Sequence, residues 1–506
     1  MRYSMNIIPA IKKEKYILIS FLLFSFITLL LGTKSSPIYV FNDWEDVNAY
    51  FTMGKGWMNG CIPYKDLFDH KGPLLYIIYG IGYIISNDSF WGIYILQCIA
   101  FTTILYFMYK LSGLFLSKQY AYIASLSFSI IYFATNLRGG SAEEFILLFQ
   151  TIGLYLLFKH FIDKNNPRNL RYIFIQGILI GCVALIKINI IIFWFIPLLA
   201  IIIQTIIDKN FKLAVRYFLL TTLGVLLVIA PFVCYFFAVD SLSDFWESYI
   251  IFNTIYASIG SDLNAFSDIP IEVLKTHPLA LSYIILGISY FTFSRNVIKE
   301  RVFRFSLFPM FGILYLSIFR SAYYDYYIMS VSVLSILGIV TIASIIQKRY
   351  NNVHIKYFII SILLIIGINV VLKRKMIKNI NSYNYQIEFS QYMKEHIGEK
   401  ELSILNLGMD EGYFFLTNTI PPNKYFYLPN ISYSQYPQII DTNIEIMKSD
   451  KAPLYITISR YITINNVKTD MDIYLPVIEA EYDVVKEYTS YAKWPAYQHI
   501  LYKRKN

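Results

Sequence analysis

The sequence predicts a polytopic α-helical membrane protein with a soluble α/β domain at its C-terminal end. Three observations predict it. Of 506 residues, 56% are hydrophobic and only 15% are charged, with a mean hydropathy of +0.48; soluble domains carry about 25% charged residues. Apolar runs of about 17–25 residues, the length that spans a bilayer core, recur up to residue 372. From residue 373 onward the pattern changes to short alternating apolar strands interleaved with helical periods.

Composition excludes several function classes. The net charge of +10 does not indicate a nucleic-acid binder, because the basic residues sit in short loops between apolar runs, where they orient a membrane protein. Cys61, Cys98, Cys182 and Cys234 lie far apart, and three fall within apolar runs. They form neither a disulfide framework nor a metal cluster. No CxxC, HExxH, phosphate-loop or dinucleotide-binding pattern is present. No cofactor is expected and no metal site is predicted. Arg2, Lys12, Lys13 and Lys15 precede the apolar run Tyr16–Leu31. With no small-residue cleavage pattern after it and many spans to follow, this run reads as an uncleaved first helix.

The spans follow in order: 16–31, 89–109, 119–135, 142–160, 172–187, 188–207, 213–238, 278–294, 303–319, 325–347 and 356–372, about eleven in all. Stretch 73–86 is apolar but too short to cross comfortably. If it lies on the surface, most Lys and Arg of the short loops fall on one face, as the positive-inside rule requires; if it crosses, the bias reverses. The expected domains are therefore a transmembrane part, 1–372, with a first outer loop 32–88 bearing surface helices, and a soluble extracytoplasmic part, 373–506. In that part, strands are expected at Leu402–Leu407, Tyr425–Leu428, Leu454–Ile458, Tyr482–Val485 and Ile500–Tyr502. Helices are expected at Tyr385–Ile397 and Tyr436–Met447. Lys373, Arg374, Lys375 and Lys378 run against the charge bias.

This topology gathers acids and cations from distant parts of the chain on one outer face. They come from the 33–72 loop, residues 136–144, Lys187, the 239–277 loop and the segment Arg320–Asp325. The strings Asp43-Trp44-Glu45-Asp46, Pro63-Tyr64-Lys65-Asp66 and Asp69-His70-Lys71-Gly72-Pro73-Leu74 resemble the first periplasmic loop of GT-C-type membrane glycosyltransferases. The similarity is to the family 39-like group, which includes protein O-mannosyltransferases and the aminoarabinose transferases that modify lipid A. The resemblance implies a sugar donor on a polyprenyl phosphate and transfer at the outer face. It implies Asp43 as the catalytic base, with Glu45 and Asp46 as near alternatives. It implies a second acidic site at Glu143 or Glu144 and a phosphate contact from Lys71. Two departures stand out. Trp44 separates the first-loop acids, and Tyr323-Tyr324-Asp325-Tyr326-Tyr327 replaces a histidine–tyrosine pair.

The chemistry asks for the same residue types. Sugar transfer from a lipid phosphate to a hydroxyl needs a base for the acceptor proton, cations for the leaving phosphate, and an apolar groove for the tail. Asp43 is placed to be the base, or to cap the helical-looking run that ends near Trp57. Lys187, with Lys71 a candidate cation for the donor phosphate, interrupts the apolar stretch 172–207, where a charge costs roughly 2.5–3.5 kcal/mol, so it either faces a polar cavity or snorkels from a hairpin. Arg138, beside Gly139 and Gly140, either binds phosphate or acceptor or pairs with Glu143 and Glu144. Arg320 either clamps phosphate through its planar fork or snorkels. A divalent ion on Asp43, Glu45 and Asp46 is compatible with their chemistry. The function expected is a membrane glycosyltransferase of a bacterial inner membrane, acting on a glycan, lipid or protein acceptor. An O-antigen polymerase or ligase and a lipid-linked glycan flippase are the alternatives.

Overall fold

The computed structural model describes residues 7–505 except 136–137, 163–168, 259–262, 296, 320–323, 352, 379–383, 399–400, 462–469 and 491–496. They fall into two compact units that do not follow chain order. One comprises Met1–Tyr39, Ile93–Cys234 and Gly260–Ile380; the other comprises Val40–Gly92, Tyr235–Ile259 and Asn381–Asn506.

The first unit is helical. Among the described residues, 7 helices are long and apolar enough to cross a membrane, or up to 9 if two bent pairs each count as one span. All eleven candidate stretches are helical. The two outside this count are Lys118–Thr135, diluted by serine and threonine, and Leu170–Ala184, which has only 15 residues. The bent pairs are Asp268–Thr276 with Pro278–Phe293, at 98°, and Asp325–Ser332 with Ser335–Arg349, at 56°. Pro278 explains the first break, since its ring denies the preceding turn a hydrogen bond. Helices Pro278–Phe293 and Ser335–Arg349 meet backbone to backbone at Gly287 and Gly338. A Cβ on Gly338 would fall 2.0 Å from the Tyr283 carbonyl. Small residues permit such approaches between membrane helices.

In the second unit, helix Pro73–Ile85 has 13 residues and begins on proline, a position that needs no amide donor. At about 1.5 Å per residue it is too short to cross a bilayer. It packs on helix Glu45–Met58 through Gly54, where a Cβ would stand 2.5 Å from the Gly80 nitrogen. The residue before helix Glu45–Met58 is Trp44, whose side chain makes no capping bond. Asp43 stands one residue ahead of that N-cap position.

The C-terminal part of this unit carries a four-stranded sheet. Its strands are β1 (Ile404–Leu407), β2 (Tyr455–Tyr461), β3 (Tyr482–Ser490) and β4 (Tyr497–Arg504), in the order β1-β2-β4-β3. β1 and β2 are parallel; the other pairs are antiparallel, with a register shift between Val484 and Lys486. One face buries Leu405, Leu407, Ile456, Ile458 and Ile500 against Ile440, Met447, Tyr474 and Ile478. Each such side chain contributes about 1.5–3 kcal/mol. The expected helices appear at Tyr385–Glu395 and Gln438–Met447.

The expected strand Tyr425–Leu428 is not a strand. Its backbone pairs with loops instead: the Phe68 amide donates to the Lys424 carbonyl at 2.8 Å, and the Leu428 amide to the Gly408 carbonyl at 2.7 Å. Its Tyr425 ring joins a cluster with Phe68, Phe252, Tyr436 and Ile439. That cluster joins the first loop, the 235–259 segment and the C-terminal part in one core. Lys424–Asp244 at 2.9 Å and the Tyr436 hydroxyl on Glu247 at 2.8 Å bind its rim.

Candidate functional site

The expected site residues divide between the units. Asp43, Glu45, Asp46 and Lys71 lie in the second; Arg138, Glu143, Glu144 and Lys187 lie in the first. Arg320 falls outside the described residues.

In the first unit, Glu143 and Glu144 open helix Ala142–Ile162 and are both buried. Acids here face the positive end of the helix dipole. Their partners tell them apart. Glu144 accepts from Gln97 Nε2 at 2.7 Å, the Tyr132 hydroxyl at 2.9 Å and the Gly140 amide at 2.8 Å, while its own amide donates to Ser141 Oγ at 3.2 Å. The Ser141 amide donates back to Glu144 Oε1 at 3.4 Å, so the Ser–Glu exchange is a capping box and gives Glu144 a structural task. Glu143 instead receives Lys187 Nζ at 2.7 Å. The same ammonium sits 3.6 Å from the centre of the Tyr327 ring, a cation–π contact that holds the charge without cancelling it.

Lys187 thus resolves as a half-buried, partnered cation at the turn between Leu170–Ala184 and Ile188–Ile191. The turn before Glu143 is rigid. Gly139 and Gly140 take φ of 88° and 96°, a region that disfavours side chains, and the Lys34 amide donates to the Arg138 carbonyl at 2.7 Å. Arg138 is half-buried beside them.

Lys373, whose charge opposed the topology, is also buried. Burial lowers its pKa to about 8, partly offset by the charge of Glu144. It therefore interacts inside the protein rather than marking a loop.

In the second unit the loop 69–72 is clamped around Lys71. Asp69 is buried. It accepts the Tyr427 hydroxyl at 2.6 Å, the Tyr76 hydroxyl at 2.9 Å and the His70 amide at 2.7 Å. The Lys71 amide donates to the Tyr76 oxygen at 3.0 Å, and its carbonyl accepts from the Tyr64 hydroxyl at 2.7 Å. Tyr64 adopts φ 69° to reach it, a strained setting for an aromatic residue.

His70 lies between the two charges. Its Nδ1 faces Asp69 Oδ1 at 3.3 Å and its Nε2 faces Lys71 Nζ at 2.7 Å. A neutral ring protonated on Nδ1 satisfies both contacts. Burial raises the Asp69 pKa, against the Lys71 charge and the three donors, which lower it. Asp43, Glu45 and Asp46 are half-buried at the start of helix Glu45–Met58. The turn is set by Asn48, whose amide donates to the Asn42 and Trp44 carbonyls at 3.0 Å each. Among the described residues, no group of three or more His, Cys, Asp or Glu is placed to hold a metal ion.

Helix Glu45–Met58 is fixed from its other end. Thr52 Oγ1 donates to Asp410 Oδ2 at 2.9 Å, and Lys55 Nζ donates to Asn418 Oδ1 at 2.8 Å and the Thr419 carbonyl at 3.0 Å. Burial pushes Asp410 up to about 7 and Lys55 down to about 8. The sequence reading missed Asp69, Asp410 and Tyr427 as site-supporting residues. Asp69 lies within the recognised motif; the other two are far along the chain, with no local signal.

Residues 70–235 match the family model of dolichyl-phosphate-mannose-protein mannosyltransferases. No curated protein sequence matches the chain. Among solved structures, ArnT from Cupriavidus metallidurans bound to undecaprenyl phosphate is similar, with TM-score 0.60 and 11% identity, covering 96% of this chain and 97% of that one. Its apo state gives TM-score 0.58 and 12% identity over 97% and 98%. The apo oligosaccharyltransferase of Archaeoglobus fulgidus gives TM-score 0.50 and 14% identity over 97% of this chain and 75% of that one. At such identities the likeness speaks to fold, and the family match speaks to the segment it covers. Taken with the apolar helices, they show a multi-pass membrane protein that shares the fold of the ArnT structures and whose residues 70–235 are similar to the mannosyltransferase family.

Proposed function

We propose that the protein transfers a sugar from a polyprenyl-phosphate donor to a glycan, lipid or protein acceptor at the outer face of a bacterial plasma membrane. The observation that carries this reading is the clamp on Lys71. Its backbone is held by the Tyr64 and Tyr76 hydroxyls, and its ammonium lies 2.7 Å from His70 Nε2. A pre-positioned cation is what a departing phosphate requires. The similarity in fold to an ArnT structure bound to undecaprenyl phosphate supports a lipid phosphate as the group held.

In this reading Asp43 takes the acceptor proton as the acceptor oxygen attacks the sugar carbon. The bond to the lipid phosphate breaks in the same displacement, so the configuration inverts. Lys71 neutralises the phosphate that leaves. Glu143 and Lys187 form the second acidic site with its own cation, and we assign Glu144 to holding the turn below it. Glu45 and Asp46 contact the acceptor.

The test is transfer by the purified protein from radiolabelled polyprenyl-phosphate sugars, with Lys71→Ala beside the wild type. The reading expects loss of transfer with retained folding. Full activity in Lys71→Ala would remove the phosphate role.

A further inference from the structure

We propose that the first unit holds one anionic phospholipid in a groove formed by helices Lys118–Thr135, Pro278–Phe293, Ser335–Arg349 and Ile355–Leu372. The groove has a volume of about 660 Å³ and is walled chiefly by apolar side chains. Along helix Lys118–Thr135 it runs from Tyr120 to Ile131. At about 1.5 Å per residue that is roughly 16 Å, or one leaflet of a core about 30 Å thick. A span-length slot would suit a longer chain; this one fits the tails of a single leaflet.

The groove has one polar end, where Tyr120, Tyr350, His354 and Tyr357 line it. The Tyr120 hydroxyl donates to the Tyr350 carbonyl at 2.5 Å, which fixes the rim. Tyr350 and Tyr357 are exposed, as tyrosines are at headgroup level. The chain around this end carries Lys118, Lys348, Arg349 and Lys356, all exposed, and segments 114–120 and 344–357 contain no acid.

That charge selects the occupant. Basic pockets between membrane helices attract anionic headgroups, whereas a second copy of this face would set cations against cations. The wall is preformed, because Gly338 packs on the Tyr283 backbone and leaves helices Pro278–Phe293 and Ser335–Arg349 no room to close.

Native mass spectrometry of the full-length protein in detergent tests this, with phosphatidylglycerol or phosphatidylcholine of equal chain length added. We expect one phosphatidylglycerol to be retained, about tenfold or more in preference to phosphatidylcholine. Arg349→Gln with Lys356→Gln should erase that preference. Ala343→Trp, which fills the middle of the groove, should remove the adduct while the protein elutes unchanged in size-exclusion chromatography. Should Ala343→Trp misfold, Ser127→Leu on the facing helix takes its place. Photo-crosslinking phosphatidylglycerol should label the peptide containing Tyr350–Tyr357. Equal retention of both lipids, adducts unaffected by filling the groove, crosslinks elsewhere, or displacement by equimolar undecaprenyl phosphate would each overturn the proposal.

Discussion

The Tyr427 hydroxyl donates to Asp69 Oδ1 at 2.6 Å, joining residues 358 positions apart in the chain. Asp69 precedes His70 and Lys71, so a tyrosine of the C-terminal part steadies the loop that presents the candidate phosphate-binding cation. The C-terminal part of the chain thus has a definite task within its unit: it fixes the 69–72 loop.

Tyr427→Phe should weaken that loop without emptying the core. It leaves a buried carboxylate short of one donor, which costs about 1–3 kcal/mol. The expected outcome is a lower unfolding temperature in detergent and a raised KM for the lipid donor, with kcat changed less. An equal fall in kcat with unchanged KM would assign Tyr427 elsewhere.

Buried Glu143 pairs with half-buried Lys187 at 2.7 Å. Removing one partner of such a pair costs roughly 3–5 kcal/mol, because the other is left buried and charged. Lys187→Met alone should therefore destabilise strongly, and Glu143→Gln with Lys187→Met should cost less than the sum of the single changes. Additive losses in a double-mutant cycle would show that the two side chains do not depend on each other. Glu144→Gln should be mild by comparison, since glutamine also completes a capping box.

Asp410 sets a pH dependence whose sign is fixed by burial. Its carboxyl is raised from 3.8 to about 7 in the fold, so between these values the folded state holds a proton that the unfolded chain has lost. Stability from this group is full below the unfolded value and is lost as pH rises through about 7. Lys55 slopes the other way at higher pH, because its folded value of about 8 lies below the ordinary 10.5. Wild type compared with Asp410→Asn across pH 4 to 7 should show the variant with the flatter profile. Parallel profiles would mean that Asp410 does not titrate with folding.

Much of this was legible in the sequence because it depends on local pattern. Apolar length gave the helices, and the short stretch 73–86 was distinguishable from a span by length and loop charge alone. The first-loop motif resembled GT-C proteins, and the fold is shared with the ArnT structures. Pairing across the chain was not legible. Tyr425–Leu428 has the alternation of a strand, yet its Tyr425 ring serves a loop core with Phe68 and Phe252. Lys373 looked like a misplaced loop charge because burial next to Glu144 leaves no trace in its neighbours. Glu143 and Glu144 are adjacent and chemically alike; only Ser141 and Lys187, placed in three dimensions, separate cap from ion pair.

The central claim is that this chain transfers sugar from a lipid phosphate, with a first-loop acid as base. Its most direct test is transfer by purified wild type and Asp43→Asn from radiolabelled polyprenyl-phosphate sugars, with donor binding measured in parallel. The account predicts donor binding in both proteins and product from the wild type alone. Product formation by Asp43→Asn at the wild-type rate would contradict it.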